Sequence, residues 1–261
     1  MSTIHPYLSK EHPIRLAHRG SRLLWPENTM EAFQGAVDLG YRYLETDVRL
    51  TRDGVVVVFH DATLDRLTNG TGRVADWRFD ELSQLDAAFT YQPSGDFPYR
   101  GEGIGIPALE DVLATWPDVH FNIDLKATGT PEAVAEIVER LDRRPSVLIA
   151  SFSDRRIARF TRLTGGQVAT SAGSAASVAM WVASRLGRSP RVGATAYQVP
   201  FDQRGMPIDR RFIDGAHATG AQVHTWTVDD AADMHRLLDL GVDGIVTDRP
   251  DVLNDVVAAR A

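Results

Sequence analysis

The sequence predicts an α/β fold, a (β/α)8 barrel with a small insertion after its second strand. Three observations predict it: eight short apolar strand patterns, a helical pattern after each, and 261 residues, a length that suits eight such units. In this fold the working side chains sit at the C-terminal ends of the strands. A doubly wound open sheet is the competing architecture, but no glycine fingerprint opens the first helix.

The first strand, 14–18, ends in His18-Arg19-Gly20. Asn28 with Glu31 has the spacing of a capping box, and Met30, Phe33 and Val37 form the apolar stripe of a helix that Gly40 ends. The second strand starts at Tyr43, and Asp53-Gly54 between β-branched runs signals a hairpin whose arm returns to His60. A turn centred on Arg52 and Asp53 would set His60 opposite Glu45. Residues 61–106 lose the period and are rich in Gly, Asp, Thr and aromatics, with one helical piece near 79–85, so they are expected to form an inserted subdomain. Pro107 suits the first position of a helix whose pattern runs over 108–115. Strand 120–126 follows, then a helix opened by Thr130-Pro131 with Val134, Ile137, Val138 and Leu141 facing inward. The cycle continues as strand 147–151 and helix 154–163, strand 167–170 and helix 175–186, strand 194–199 and helix 209–218. It ends with strand 222–227 and helix 230–240, then strand 244–247 and helix 250–257.

A hydrophobic content of 43% is enough to fill such a core. The formal net charge of -7 argues against nucleic acid, or an anionic membrane surface, as the main partner. An anionic substrate must then meet local positive charge. With no cysteine, thiolate metal sites, disulfides and cysteine nucleophiles are excluded. The first twenty residues lack the apolar core of a signal peptide, so a cytoplasmic protein without stable membrane insertion is expected. Lysine occurs only at positions 10 and 126, which makes Lys126 conspicuous.

Strand alternation places Glu45 and Asp47 on one face, and Asn122, Asp124 and Lys126 on one face of the next parallel strand. His18 and Arg19 end the first strand, and His60 lies on the returning arm, so all should meet at the barrel mouth. Three carboxylates there would repel without a cation, and hard oxygen ligands suit Mg²⁺ or Ca²⁺ better than Zn²⁺. The competing reading is a salt-bridge network that merely closes the barrel. Two histidines at the same mouth weigh against it. They can serve as base and acid, while Arg19 and Lys126 can hold an oxyanion, an assembly suited to displacement at phosphorus. His5, His12, His120, His217, His224 and His235 are read as surface or packing residues. Phe152 and Trp226 could line the mouth, Trp25, Phe89 and Tyr91 a leaving-group pocket, Asp61 could orient His60, and Asp248 is expected to cap the last helix.

Together these residues resemble the glycerophosphodiester phosphodiesterase family. The matching pieces are HRG at 18–20, PENT at 26–29, ETDVRLTRDGVVVVFHD at 45–61, RLTNGTGRV at 66–74 and FNIDLK at 121–126. Further matches are SF at 151–152, WTV at 226–228 and DGIVTDRP at 243–250. The resemblance implies that residues 1–261 form one TIM-barrel domain of this type. It implies metal-dependent hydrolysis of glycerophosphodiesters to sn-glycerol 3-phosphate and an alcohol, a step of glycerol and lipid metabolism. It carries acid/base catalysis onto His18 and His60, metal ligation onto Glu45 and Asp47, and phosphate contact onto Arg19 and Lys126. Where the family usually has Glu as third ligand, this chain has the shorter Asp124, expected still to ligate. Two other readings stand beside this one: a lysophospholipase D-type activity, which needs an apolar groove, and a non-catalytic phosphodiester-binding barrel.

Overall fold

The computed structural model describes residues 5–8, 11–190, 192–202 and 206–260. Short runs dominated by apolar and β-branched residues form eight parallel strands: β1 (Ile14–Ala17), β2 (Tyr43–Leu50), β4 (His120–Leu125), β5 (Val147–Ala150), β6 (Ala169–Thr170), β7 (Ala196–Pro200), β8 (Gln222–Trp226) and β9 (Gly244–Thr247). The short β3 (Val56–Val58) pairs antiparallel with β2. The spatial order is β6-β5-β4-β2-β1-β9-β8-β7. A single parallel bridge, Ser171 to Ala196, closes the ring between β6 and β7.

Helices follow the strands as the periodicity predicts: α1 (Met30–Asp38), α3 (Leu109–Thr115), α4 (Thr130–Arg140), α5 (Asp154–Leu163) and α6 (Ser174–Arg185). The circuit ends with α7 (Arg210–His217), α8 (Ala231–Leu240) and α9 (Pro250–Ala258), while α2 (Phe79–Leu82) lies in the insertion. Side chains at the helix starts satisfy free amides, as where Ser153 accepts from Arg156, Asp209 from Phe212, and Asp230 from Ala232 and Asp233. Pro107 lies two residues before the first residue of its helix, Leu109, whose N-cap is Ala108.

Alternation sorts the strands' side chains into two environments. Leu44 and Val48 of β2 and Phe121, Ile123 and Leu125 of β4 pack outward against the helices. Tyr43 and His120 point into the barrel, where their rings lie 4.8 Å apart and Tyr43 also meets Tyr7 at 5.3 Å. This aromatic layer fills the bottom of the barrel. Above it β2 and β4 run in register, Glu45 beside Asn122 and Asp47 beside Asp124. The same period of two that fills the floor thus lifts polar side chains to the rim.

The hairpin differs from its expected register by one residue. Thr51 and Val55 bracket a three-residue loop, Arg52-Asp53-Gly54, with Gly54 at φ +84°, and Leu50 pairs with Val56 and Val48 with Val58. The glycine occupies the left-handed position that a three-residue loop requires, and the extra residue shifts the partner arm. Paired strictly, Asp61 would then stand opposite Glu45. The ladder instead stops at Val58, and the chain leaves the strand before His60. In residues 61–106 Leu64, Val74, Leu82, Ala87, Ala88, Ile104 and Ile106 bury against Val57 and Phe59, a small core separate from the barrel's.

Candidate active site

A cavity of about 600 Å³ opens at the C-terminal ends of the strands. His18, Arg19, Glu45, Asp47, His60, Asp124, Lys126, Phe152 and Trp226 all line it, so these nine reach one mouth. Trp25, Phe89 and Tyr91 do not line it. Trp25 sits where a Cβ on Gly35 would be, Phe89 stacks on the Arg100 guanidinium, and the Tyr91 hydroxyl donates to the Leu23 carbonyl.

His18 starts a tight turn in which Arg19, Gly20 and Ser21 all have positive φ. A Cβ on Gly20 would stand 2.7 Å from Ala32, so this turn can lie against α1 only with glycine there. The turn aims His18 at two acids. Its Nδ1 lies 2.8 Å from Asp248 Oδ1, and its Nε2 lies 3.9 Å from Glu45 Oε2. Asp248 is fully buried and does not cap the last helix as expected. Arg22 Nε meets its other oxygen at 2.5 Å, and the Asp248 backbone amide donates to Asp229 at 2.7 Å. The acid at the end of β9 therefore orients the histidine at the end of β1.

His60 has a carboxylate of its own, with Nδ1 2.6 Å from Asp61 Oδ1. An ionised carboxylate only accepts, so in both pairs Nδ1 carries the proton and Nε2 is left for the cavity. The two imidazoles are tuned in opposite directions. Burial lowers the His18 pKa, but the hydrogen bond to Asp248 and the charge of Glu45 outweigh it and the net shift is upward. For His60 burial, with the charges of Arg19 and Lys126, outweighs Asp47 and Asp61 and the net shift is downward.

The cations are already engaged. Arg19 Nη1 donates to Glu27 at 2.8 Å, its Nε lies 3.0 Å from Asp47 Oδ2, and its backbone amide donates to Glu45 Oε2 at 3.1 Å. Lys126 Nζ sits between Asp47 Oδ1 at 2.9 Å and Asp124 Oδ2 at 2.7 Å. Burial raises the Asp47 pKa, but Arg19 and Lys126 reverse this and hold it low. Glu45 goes the other way, raised by burial and by the charge of Asp47. Asp124 is likewise raised by burial, against the pull of Lys126.

Among the described residues no three acidic or histidine side chains converge as a ready-made metal site, because Lys126 and Arg19 stand among the acids. The donor set nonetheless fits a hard dication. Asp124 Oδ1 and Asn122 Oδ1 are buried without a hydrogen-bond partner, and two raised carboxylates mark a cluster short of positive charge. The expected ligands Glu45, Asp47 and Asp124 share this face with Asn122.

Several residues gain a role that periodicity does not reveal. Asn28 does not cap α1, a task that falls to Thr29, whose hydroxyl accepts from Ala32. With φ +58°, Asn28 turns inward, its amide donating to Asp47 Oδ2 at 3.2 Å and accepting from the Thr46 hydroxyl at 2.8 Å. Glu27 is buried and takes Arg19 on one side and a bidentate contact from Arg66 on the other. Arg66 Nε also reaches Asp61 Oδ2 at 2.5 Å. The inserted segment thereby ties the acid holding His60 to the acid holding Arg19. Glu27 and Asn28 lie in the PENT piece and Arg66 opens RLTNGTGRV, and no periodicity pointed to these contacts. The remaining histidines stay outside the cavity; His224 is buried, which lowers its pKa to about 4, and His217 pairs with Asp243 at 2.7 Å.

Across the mouth the lining is mixed, with Phe152, Val199, Pro200, Met206 and Trp226 set among the small polar side chains of Ser171, Ser174 and Ser177 and the amide of Gln198. Phe152 meets Trp226 edge to face at 5.6 Å.

The family model described as "Glycerophosphoryl diester phosphodiesterase family" matches residues 18–252. The chain is 43% identical over 262 residues to "Probable glycerophosphodiester phosphodiesterase 2" of Mycobacterium tuberculosis, a match covering 95% of this chain and 91% of that protein. In fold it is similar to the crystal structure of a glycerophosphoryl diester phosphodiesterase domain from Mycobacterium tuberculosis, with TM-score 0.81 and 22% identity over 95% of this chain and 100% of that one. An Oleispira antarctica phosphodiesterase solved with its product sn-glycerol-3-phosphate has TM-score 0.73 at 22% identity, covering 95% and 97% of the two chains.

Proposed function

The chain belongs to the glycerophosphoryl diester phosphodiesterase family and is of that enzyme class, and from that premise we propose that it hydrolyses glycerophosphodiesters to sn-glycerol 3-phosphate and an alcohol, with His18 and His60 as the acid/base pair. The observation that carries this reading is the pair of imidazoles lining one cavity, each held at Nδ1 by its own carboxylate. Environments that push two titrating groups apart divide their roles. His60, shifted down, is neutral near pH 7 and takes the proton of the attacking hydroxyl. His18, shifted up, gives its proton to the leaving alkoxide as the phosphorus–oxygen bond breaks. Asp248, the largest upward influence on His18, stands outside the acid cluster.

Glu45, Asp47 and Asp124 are the residues that would hold a divalent cation, Mg²⁺ or Ca²⁺, with the Asn122 oxygen beside them. Bound there, it would supply Lewis-acid stabilisation of charge on the phosphoryl oxygens. Arg19 and Lys126 add a forked and a point-charge contact to the same oxygens. The product-bound Oleispira protein supports sn-glycerol 3-phosphate as the moiety that the site retains. Release of glycerol 3-phosphate from a panel of head groups, with and without chelator, tests the proposal. Turnover that survives in both His18→Ala and His60→Ala would refute the acid/base pair.

One observation favours a second substrate. The apolar side chains of Phe152, Val199, Pro200, Met206 and Trp226 offer contact to an acyl chain that a small polar alcohol cannot use. Comparing a lysophospholipid with glycerophosphocholine separates the two.

A further inference from the structure

The outer face of α6 departs from the pattern of the other barrel helices. On α4 the outward positions are charged, Glu136, Glu139 and Arg140. On α6 they are Ala175, Val178, Ala179 and Val182, and the stripe continues to Leu186 just past the helix end. Val182 is 48% exposed and Leu186 67%. This outward stripe has no covering partner among the described residues.

The departure extends to the whole segment. Among the described residues nine large apolar side chains are exposed, and six of them, Phe152, Leu163, Val178, Val182, Leu186 and Val192, fall within residues 151–200. The same fifty residues carry seven arginines and one acid, Asp154. The other 211 carry 21 basic and 34 acidic residues. A strongly acidic chain thus concentrates positive charge where it exposes apolar surface. Nearby acids are occupied: Asp154 accepts from the Ala175 and Ala176 amides, Asp209 holds Arg185, and Glu132 holds Arg159. Arg155 and Arg162 on α5, and Arg188 beyond α6, are exposed and have no ion-pair partner among the described residues.

We propose that this α5–α6 face docks on an anionic lipid surface, with the α6 stripe entering the interfacial layer and the free arginines meeting phosphate head groups. Exposed apolar side chains flanked by arginine are the combination that holds a helix flat on an anionic bilayer. Chain-wide charge argues against such a surface, and the local excess of arginine reverses that argument for this face alone. Phe152 and Val178 belong both to the face and to the cavity rim, so docking places the mouth at the edge of the lipid. Docking is independent of the reaction assigned above, and its test reads no turnover.

The full chain is sedimented with sucrose-loaded vesicles of phosphatidylglycerol or of phosphatidylcholine. The expected result is partition into phosphatidylglycerol at least about tenfold stronger than into phosphatidylcholine, and weakened by high salt. Two variants, Val182→Glu with Leu186→Glu, and Arg155→Glu with Arg162→Glu and Arg188→Glu, should each lose at least about tenfold in that partition. Both should keep the wild-type melting temperature, since these side chains are exposed. Wild-type protein that stays in the supernatant with phosphatidylglycerol, or variants that sediment like wild type, would overturn the proposal. So would self-association through this face, lost in Val182→Glu with Leu186→Glu, without vesicle binding.

Discussion

The two walls of the cavity are built from the same alternating strands and differ in how their side chains are held. On the wall of β1, β2 and β4 nearly every functional group is locked into another: His18 to Asp248, Arg19 to Glu27 and Asp47, Lys126 to Asp47 and Asp124, His60 to Asp61. On the wall of β5 to β8 Phe152 is 55% exposed, and its edge-to-face contact is with Trp226. The first wall is preorganised for chemistry, since charged groups fixed in place cost little reorganisation during reaction. The second carries fewer such ties. A barrel can keep one reaction and change its substrate by altering the wall that is not tied down.

The contrast is sharpest at the histidines. His18→Ala or His60→Ala should each lower kcat by about 10²–10⁴-fold, the usual worth of a positioned acid or base. Single-turnover rates with near-normal melting temperature would show that chemistry and not folding is lost.

The proposed cation ligands come next. Asp124→Ala should weaken divalent-cation affinity by at least about tenfold, as one of few hard ligands goes. Metal titration followed by calorimetry measures this directly, and unchanged affinity would remove Asp124 from the site.

Asp248→Asn should move the pH profile more than the fold. Under the proposed roles activity needs His60 neutral and His18 protonated, so it should lie between a lower limb below about 6.5 and an upper limb above it. Losing Asp248 lowers the His18 pKa, and the upper limb should move to lower pH. The sign for stability follows the same shift. Raised in the folded state, His18 contributes stability that is full below about 6.5 and lost as pH rises through its folded value. That term should vanish in the variant, as denaturant melts at pH 5 and pH 8 would reveal.

The smallest effects separate the walls themselves. Arg66→Met should cost about 1–2 kcal/mol, because buried Glu27 loses its bidentate partner and keeps only Arg19, with Arg66 itself half exposed. Phe152→Ala should change stability by less than about 0.5 kcal/mol and act on KM for the diester instead. Equal losses of stability at both positions would erase the distinction between a locked wall and a free one.

Much of the locked wall was legible in the chain. Glu45 and Asp47, or Asn122 and Asp124, share a face because a strand's side chains alternate, and two neighbouring parallel strands needed only that rule to converge. Helices α5 and α8 and strand β9 were legible for the same reason, their apolar spacing and capping aspartates or serines being local. His60 was placed correctly at the mouth through an incorrect register, since the loop at Gly54 holds three residues and the arm leaves the ladder at Val58. Asn28 looked like a cap because Asp and Asn do cap helices. Only the folded neighbour Asp47 shows what its amide does.

By itself the sequence determined the barrel, the face on which the acids lie and the family, because each of these follows from short-range periodicity and from contiguous motifs. The tertiary structure decided which carboxylate holds which histidine, how Arg66 joins Glu27 to Asp61, and that α6 turns its apolar stripe outward. Asp248 lies 230 residues from His18 and Arg66 39 from Glu27. Pairings of that range depend on barrel closure, which no local pattern of side chains encodes.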